Sequence, residues 1–250
     1  MIRLIAYREF RGLFVLPLAW VLLAVLSFIV AYLFLAQVDG YLRIASRLAA
    51  VEGAPGVADL VVAPVLANAA AILLLVMPLL TMRLVAGEES NHSLPLLLSS
   101  PVASAQIVMG KFLGVLGFGL IAVLLVCLMP LSLLLGTSLD LGKLLSGMLG
   151  LSLLVAAFSA IGLLMSTLSR RPVVAAVSTF GMLLLLWIID WVGQAAEGAE
   201  GVLHYLSLMR HFEPMLRGLV TTGDLAYFLI LIGLCLLLSV RVLDNRRVDG

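Results

Sequence analysis

The sequence predicts an all-α polytopic membrane protein with six transmembrane helices. Hydrophobic residues make up 63% of the 250-residue chain and charged residues only 12%, against roughly 25% charged residues in an average soluble domain. The mean hydropathy is +1.22, and the apolar residues fall into long windows without Asp, Glu, Lys or Arg. A soluble fold needs surface charge that this chain lacks, so a soluble enzyme, a nucleic-acid-binding protein and a disordered tail are excluded.

Six uncharged windows account for the predicted spans. A hydrocarbon core of about 30 Å needs roughly 20 helical residues. The windows are residues 12–38, 60–82, 112–139, 144–169, 172–189 and 225–240. They predict a single transmembrane domain over residues 1–250. Its spans lie at approximately 13–36, 60–84, 111–135, 144–168, 172–191 and 222–240.

A seventh uncharged stretch, residues 90–110, is predicted to lie outside the hydrocarbon. About half of its residues are Ser, Asn, His, Gln, Pro or Gly, and such a segment would leave backbone groups unpaired in lipid. The two shortest windows have features of span ends. Pro172 suits a first helical turn, and Asp224 can reach the head groups from the start of the last span.

The basic residues orient the spans. With six spans, both termini share a side with the loops after spans 2 and 4, and that side carries ten of the fifteen Lys and Arg residues. Because cytoplasmic segments are enriched in Lys and Arg, both termini are predicted to lie in the cytoplasm. The protein itself is predicted to lie in the cytoplasmic (inner) membrane. On the same side, apolar and arginine side chains share residues 2–11, which predicts a short amphipathic helix along the inner membrane surface.

The sequence contains no motif for nucleotide or metal chemistry. The two Gly-Lys pairs, at 110–111 and 142–143, are followed by Phe and Leu, so no phosphate-binding loop is present. No H-E-x-x-H motif or Cys/His metal spacing occurs, and the uncharged windows argue against a proton- or sodium-coupled carrier. We therefore predict no catalytic residue and no metal site in this chain. The glycines Gly110, Gly114 and Gly117 have helix-interface spacing and are predicted to pack, with Ser159 and Gly162 of span 4 nearby.

The cytoplasmic segment 86–106 is predicted to contain a short apolar helix. Ser93 is a candidate cap, and Pro101 ends the helix because the residue before a proline disfavours the helical region. Between them lies an apolar ridge formed by Leu94, Leu96, Leu97 and Leu98. A ridge exposed to the cytoplasm needs a partner surface. The pattern alone leaves two readings open: docking to a motor subunit, or contact with lipid head groups.

This segment resembles the signature of ATP-binding-cassette exporter permeases of the second type, the ABC-2 permeases. The matching residues are Glu88, Glu89, Ser93, Leu94, Leu97, Leu98, Ser100, Pro101, Val102, Gly110 and Lys111. Residues 8–26 and 206–229 resemble the gliding-motility-associated branch of these permeases. The resemblance therefore extends from the start to the end of the chain, with the same six-span layout.

The resemblance implies a permease subunit of an exporter that is not itself an enzyme. Two six-span halves, as a homodimer or with a related chain, would recruit two copies of a separate ABC ATPase. That ATPase would bind ATP and Mg, so no cofactor is expected in this chain. Residues 86–106, called the coupling segment below, would contact it through Glu88, Glu89, Ser93, Leu94, Leu97, Leu98, Ser100 and Pro101. A periplasmic or membrane auxiliary protein is a further expected partner, and the substrate is not identified.

The external loop, residues 192–221, is predicted to contain one or two short helices. Apolar residues recur there at helical spacing: Val202, Tyr205, Leu206, Met209, Phe212 and Leu216. Such a helix would either cap the translocation route or lie flat on the outer leaflet. The imidazole and thioether groups of His204, Met209, His211 and Met215 would suit a Cu(I) site, but Met209 already belongs to the apolar stripe and the sequence does not favour such a site.

Two other functions stay open on the sequence alone. An ATP-coupled machine that transmits force to a periplasmic partner, without transport through itself, would carry the same motifs. A stand-alone secondary carrier or membrane scaffold would act with no ATPase subunit present.

Overall fold

A computed structural model describes residues 1–15, 17–48, 56–91, 102–135, 140–195 and 205–248 of the chain. The regular secondary structure of these residues is entirely helical. Six helical segments are long and apolar enough to cross a membrane: Pro17–Ala45, Ala58–Ser90, Ser104–Leu134, Leu141–Leu168, Pro172–Ile189 and Thr222–Arg247. The predicted all-α class with six membrane helices is confirmed.

The α-helices of the described residues range from 5 to 32 residues in length. They are α1 (Ile2–Val15), α2 (Pro17–Leu48), α3 (Ala63–Thr81), α4 (Ala86–Ser90), α5 (Ser104–Leu131), α6 (Leu141–Leu168), α7 (Pro172–Ala195), α8 (Leu208–Leu216) and α9 (Thr222–Val248). A π-helical turn, Ala58–Val62, precedes α3, and a 3-10 turn, Ser132–Leu135, follows α5. Helix α2 continues past the predicted span end at residue 36, and in this polar extension Arg43 pairs with Asp39 one turn earlier at 2.8 Å.

Helix α6 lies at the centre of the described bundle. Of its apolar window 72% is buried, compared with 28% for α2 and 22% for both α7 and α9. It packs against α3, α5, α7, α8 and α9. Small residues permit the close approach, because a Cβ at Gly162 would lie 2.2 Å from Thr81 Oγ1 on α3, and one at Gly150 would lie 2.9 Å from Met215 on α8.

The glycine stripe of α5 packs against the N-terminal helix α1 and not against span 4. A Cβ at Gly110 would lie 2.6 Å from Ile5 Cγ2, and one at Gly114 would lie 2.7 Å from Glu9 Cβ. The predicted packing role of these glycines is confirmed, but their partner is the amphipathic helix. The contact of α5 with α6 uses Gly119 instead, where a Cβ would lie 2.3 Å from Val155 Cγ1.

The segment predicted to be external contains the short helix α8, which buries part of the predicted apolar stripe. It begins after Ser207, whose Oγ accepts a hydrogen bond from the Arg210 backbone N–H at 3.4 Å. Of the predicted stripe, Phe212 and Leu216 are buried and Met209 is half-buried, whereas Tyr205 and Leu206 precede α8 and are exposed. Val202 lies outside the described residues. The side chains that are buried are Leu208, His211, Phe212, Met215 and Leu216. They pack against α6, α7 and α3, so α8 rests on protein at one end of the bundle, and not on lipid alone.

Candidate functional site

The coupling segment begins in α4, whose start is held by a serine from α6. The backbone N–H groups of Val85 and Ala86 both donate to Ser166 Oγ at 3.1 Å, and that hydroxyl donates to the Met82 carbonyl at 3.2 Å. The first N–H groups of a helix have no acceptor within it, and no side chain at the Val85 cap position supplies one. The fully buried Ser166 therefore caps α4 from a distant helix and fixes it at the C-terminal end of α6.

Glu88 of α4 forms an ion pair with a lysine that is buried in the bundle. Lys111 Nζ lies 2.7 Å from Glu88 Oε1 and 3.0 Å from Glu9 Oε1, and the lysine side chain is only 2% exposed. An unpaired ammonium at this position would cost several kcal/mol. Arg8 approaches both carboxylates from the exposed side at 3.6 Å. These charges join α1, α4 and α5 in one cluster.

Glu89 points to a different helix, the C-terminal end of α9. Arg246 donates to Glu89 Oε2, and the two side chains are 22% and 27% exposed. The next residue, Arg247, donates from Nη1 to the Val102 carbonyl at 3.1 Å. Two adjacent arginines of α9 therefore contact the chain on both sides of residues 92–101, which lie outside the described residues.

The described part of the chain brings together two of the predicted coupling residues. Glu88 and Glu89 lie in one charged cluster with Lys111, Glu9 and Arg246. The other predicted coupling residues lie outside the described residues: Ser93, Leu94, Leu97, Leu98, Ser100 and Pro101. The contact of the coupling segment with an ATPase therefore stays a prediction.

The predicted coupling residues did not include four residues that hold α4 in place: Glu9, Lys111, Ser166 and Arg246. Lys111 had been noted only as part of the signature. Lys111 carried a usable signal, because it lies seven residues inside α5 with apolar neighbours and not at the end of the helix. A charge at such a position requires a partner from elsewhere in the fold. Ser166 carried no sequence signal, since a serine near a helix end is common and its partners are backbone groups about 80 residues earlier in the chain.

A second polar cluster lies at the opposite end of the bundle and joins α8 to α9. His211 Nδ1 lies 2.7 Å from Asp224 Oδ1, and its Nε2 lies 3.0 Å from the Tyr205 carbonyl. The Tyr227 ring stacks on the imidazole at 4.0 Å, and Thr221 Oγ1 donates to Asp224 Oδ2 at 2.6 Å. Both imidazole nitrogens of His211 are therefore engaged within the protein, and this residue links two helices.

The same histidine borders a shallow cleft of about 340 Å³ beside α8. Its lining combines aromatic, hydroxyl and charged groups: Tyr205, Arg210, His211, Pro214, Thr221, Gly223 and Asp224. His204, the other histidine weighed for copper, lies outside the described residues. The sequence prediction left the substrate-binding residues unknown, and this cleft does not assign them.

One family match spans nearly all of the described helices. Comparison with curated proteins gives no significant match. The sequence does match the family described as "ABC-2 family transporter protein" over residues 3–244, a range that covers the first five membrane-crossing segments and most of the sixth, Thr222–Arg247. The chain therefore belongs to the ABC-2 transporter family and is a multi-pass membrane transport subunit, not itself the ATPase.

Proposed function

We propose that this chain is the permease subunit of an ABC exporter in the cytoplasmic membrane. In this proposal, a separate ATPase subunit hydrolyses ATP, and the permease couples that hydrolysis to movement of a substrate across the membrane. Members of the family generally work with an ABC ATPase partner. The observation that carries the proposal is the charged cluster at the base of the coupling segment, which fastens Glu88 and Glu89 to other helices.

A segment that a partner protein displaces can move other helices only if it is held to them by direct contacts. Helix α4 is fastened to α6 through Ser166, to α5 and α1 through Lys111 and Glu9, and to α9 through Arg246. A loop tied only by its own peptide chain would absorb the displacement. Packed helices switch between discrete arrangements instead of deforming smoothly. The cluster therefore supports a role for the coupling segment as the piece that transmits force from the ATPase.

The complete transporter would contain further chains. Two copies of the ATPase would bind ATP and Mg, and a second permease half would complete the translocation route as a homodimer or with a related chain. The little-buried helices α2, α7 and α9 leave apolar surface for lipid or for that second half. The resemblance of residues 8–26 and 206–229 supports placement in the gliding-motility-associated branch. In that placement, a periplasmic or membrane auxiliary protein is a further partner.

The test is co-purification of this chain with the ABC ATPase encoded beside it. Replacing Leu97→Asp places a charge on the apolar ridge, and we expect the association to weaken by more than about tenfold, equivalent to about 1.4 kcal/mol. The matched control is Leu219→Asp, which adds the same charge to an exposed position between α8 and α9, at the other end of the bundle. Retention of the ATPase by Leu97→Asp, or transport by the chain with no ATPase present, would contradict the proposal.

A further inference from the structure

His211 lies between two oxygen atoms that act as hydrogen-bond acceptors. Its Nδ1 lies 2.7 Å from Asp224 Oδ1, and its Nε2 lies 3.0 Å from the Tyr205 carbonyl oxygen. A carbonyl and an ionised carboxylate only accept hydrogen bonds, whereas a neutral imidazole carries a proton on just one ring nitrogen. Both contacts are therefore hydrogen bonds at the same time only if the pair holds one proton more than a neutral imidazole and a carboxylate.

The surroundings of Asp224 favour its ionised form, which places that additional proton on His211. Thr221 Oγ1 donates to Asp224 Oδ2 at 2.6 Å, and a hydrogen bond of this kind stabilises a carboxylate. Asp224 also lies in the first turn of α9, where the helix dipole stabilises negative charge. The two side chains are only 6% and 11% exposed, so each charge needs the other as its partner. The form with both hydrogen bonds is therefore an imidazolium–carboxylate pair.

We propose that His211 is a pH-sensitive link that holds Tyr205 to α9 while both of its ring nitrogens are protonated. As the pH rises and one proton is lost, the remaining proton stays on Nδ1, because the Asp224 carboxylate is the stronger acceptor. The lone pair of Nε2 then faces the Tyr205 carbonyl oxygen at 3.0 Å, and the hydrogen bond becomes a repulsion. The attachment of Tyr205 is therefore complete at low pH and is lost as the pH rises through the titration of His211.

The position of Tyr205 allows this contact to open without disturbing the core. Its side chain is 51% exposed, and it precedes α8 instead of lying within it. The next residue, Leu206, has a separate attachment, since the Tyr227 hydroxyl donates to its carbonyl at 2.6 Å. Tyr205, His211 and Asp224 all line the shallow cleft of about 340 Å³, through which protons reach the pair. Opening of the contact therefore moves one wall of this cleft while α8 stays attached to α9.

Few other charged or titratable groups adjoin the pair in the part of the chain that the structure describes. Arg210 lines the same cleft from the exposed side of α8, where solvent screens its effect on a second positive charge. The Tyr227 ring stacks on the imidazole with centroids 4.0 Å apart, and the Tyr205 ring lies at 5.0 Å. Helix α3 and residues 172–189 of α7, which pack near α8, contribute no charged or titratable side chain. The remaining such groups on α5, α6, α8 and α9 toward this end are Cys127, Lys143, Glu213, Arg217 and Cys235. Among the described groups, the Asp224 carboxylate alone forms an ion pair with His211.

The first experiment observes the ring nitrogens of His211 directly. The chain contains three histidines, so His92→Gln with His204→Gln leaves His211 as the single one for nitrogen-15 NMR of the purified chain in nanodiscs. In a titration from about pH 5 to about pH 9, we expect both nitrogens to be protonated at the low end. At the high end, Nδ1 should keep its proton and Nε2 should have lost it.

Two matched variants test the role of the carboxylate. Asp224→Asn should lower the midpoint pH of the Nε2 change by about one unit or more, because an opposite charge in contact favours the imidazolium. Glu213→Gln removes an exposed carboxylate of α8 that pairs with Arg217 and should leave the midpoint unchanged. A high-pH form in which Nδ1 lacks the proton, or an equal midpoint in the wild type and Asp224→Asn, would overturn the inference.

The second experiment measures the release of Tyr205. Tyr205→Cys, which keeps the backbone carbonyl, carries a spin label, and the two buried cysteines, Cys127 and Cys235, are replaced by alanine. The label should become reversibly more mobile between about pH 5 and about pH 9, with the midpoint seen by NMR. His211→Gln should abolish this pH dependence. A label at the exposed position 219, introduced as Leu219→Cys, should not respond to pH in either chain.

A label at position 205 whose mobility does not change with pH, or changes equally in His211→Gln, would overturn the inference. The NMR titration keeps His211 intact, so it gives a decisive result even if His211→Gln does not fold. Neither experiment involves an ATPase, so a negative result would leave the proposed function untouched.

Discussion

Lys111 shows how the chemistry of one residue organises three helices. Its ammonium is buried at the side of α5 that faces α1 and α4, and two carboxylates supply the compensating charge at 2.7 and 3.0 Å. Removing one partner of a buried pair is costly because it leaves the remaining charges uncompensated. Here the loss of the lysine would also leave Glu9 and Glu88 close together with like charge.

We expect Lys111→Met to lower the free energy of unfolding by about 3 kcal/mol, at the lower end for buried pairs because the glutamates are partly exposed. The measurement is denaturant unfolding in detergent, followed by tryptophan fluorescence. Lys143→Met is the control, since Lys143 pairs with Asp59 while both side chains remain nearly one-third exposed. That variant should lose less than about 1 kcal/mol. Equal losses in the two variants would mean that burial does not set the strength of the Lys111 cluster.

At the scale of single elements, α1 is the helix whose position was least evident from the sequence. The mixture of apolar and arginine residues correctly indicated an amphipathic helix, and the glycine spacing on α5 correctly indicated a packing face. Neither the amphipathic pattern of α1 nor the glycine spacing of α5 predicted that these two helices pack together, because small residues permit a close approach without specifying the partner. The observed pairing leaves Leu4 and Tyr7 of α1 exposed on the face away from α5.

Gly114→Ala is predicted to loosen α1 from α5. The added Cβ would lie 2.7 Å from Glu9 Cβ and 3.1 Å from the Ala6 carbonyl, and overpacking of this kind costs about 1–3 kcal/mol. Trypsin should then cut faster after Arg8 and Arg11, both of which lie in α1. The matched change Gly181→Ala, where no neighbour lies within 4 Å, should leave the cleavage rate unchanged and raise helix stability by up to about 1 kcal/mol. Equal cleavage of the two variants would show that the glycine does not set the α1–α5 distance.

For α8, the sequence predicted a helix but not the residue at which it begins. Apolar residues at helical spacing indicated the helix, and Phe212 of that stripe is fully buried. Tyr205 and Leu206 fit the same spacing but precede the helix and are exposed. The cap at Ser207 was the better signal for the start, since its hydroxyl accepts from the third residue of the helix. Apolar spacing alone does not separate residues that face protein from residues that face the surroundings.

At the scale of the whole molecule, the burial of the helices is strongly uneven. Helix α6 is mostly enclosed, whereas α2, α7 and α9 expose large apolar side chains such as Phe28, Val177 and Leu237. The sequence predicted the six membrane helices because charge-free length is a property of each window by itself. It did not predict which helix is central or which charges meet, because those depend on contacts between distant windows such as Lys111 with Glu9.

The orientation of the whole molecule gives a further prediction, which rests on the excess of Lys and Arg on the side of the termini. In a background without native cysteines, Leu219→Cys should react with a membrane-impermeant maleimide in cells whose outer membrane has been permeabilised. Asn245→Cys should react only after the inner membrane is opened as well. Both positions are exposed in the structure. The reverse pattern would place the coupling segment on the far side of the membrane and would contradict the proposed function.

The hydroxyl of Ser166 has no spare hydrogen-bonding capacity. It receives two backbone N–H groups and gives its one proton to Met82, which is the full complement of a serine side chain. If α4 and α6 moved apart, two buried amides would lose their acceptor together, at a cost of about 1–3 kcal/mol for each. We therefore expect these two helices to travel as one rigid body.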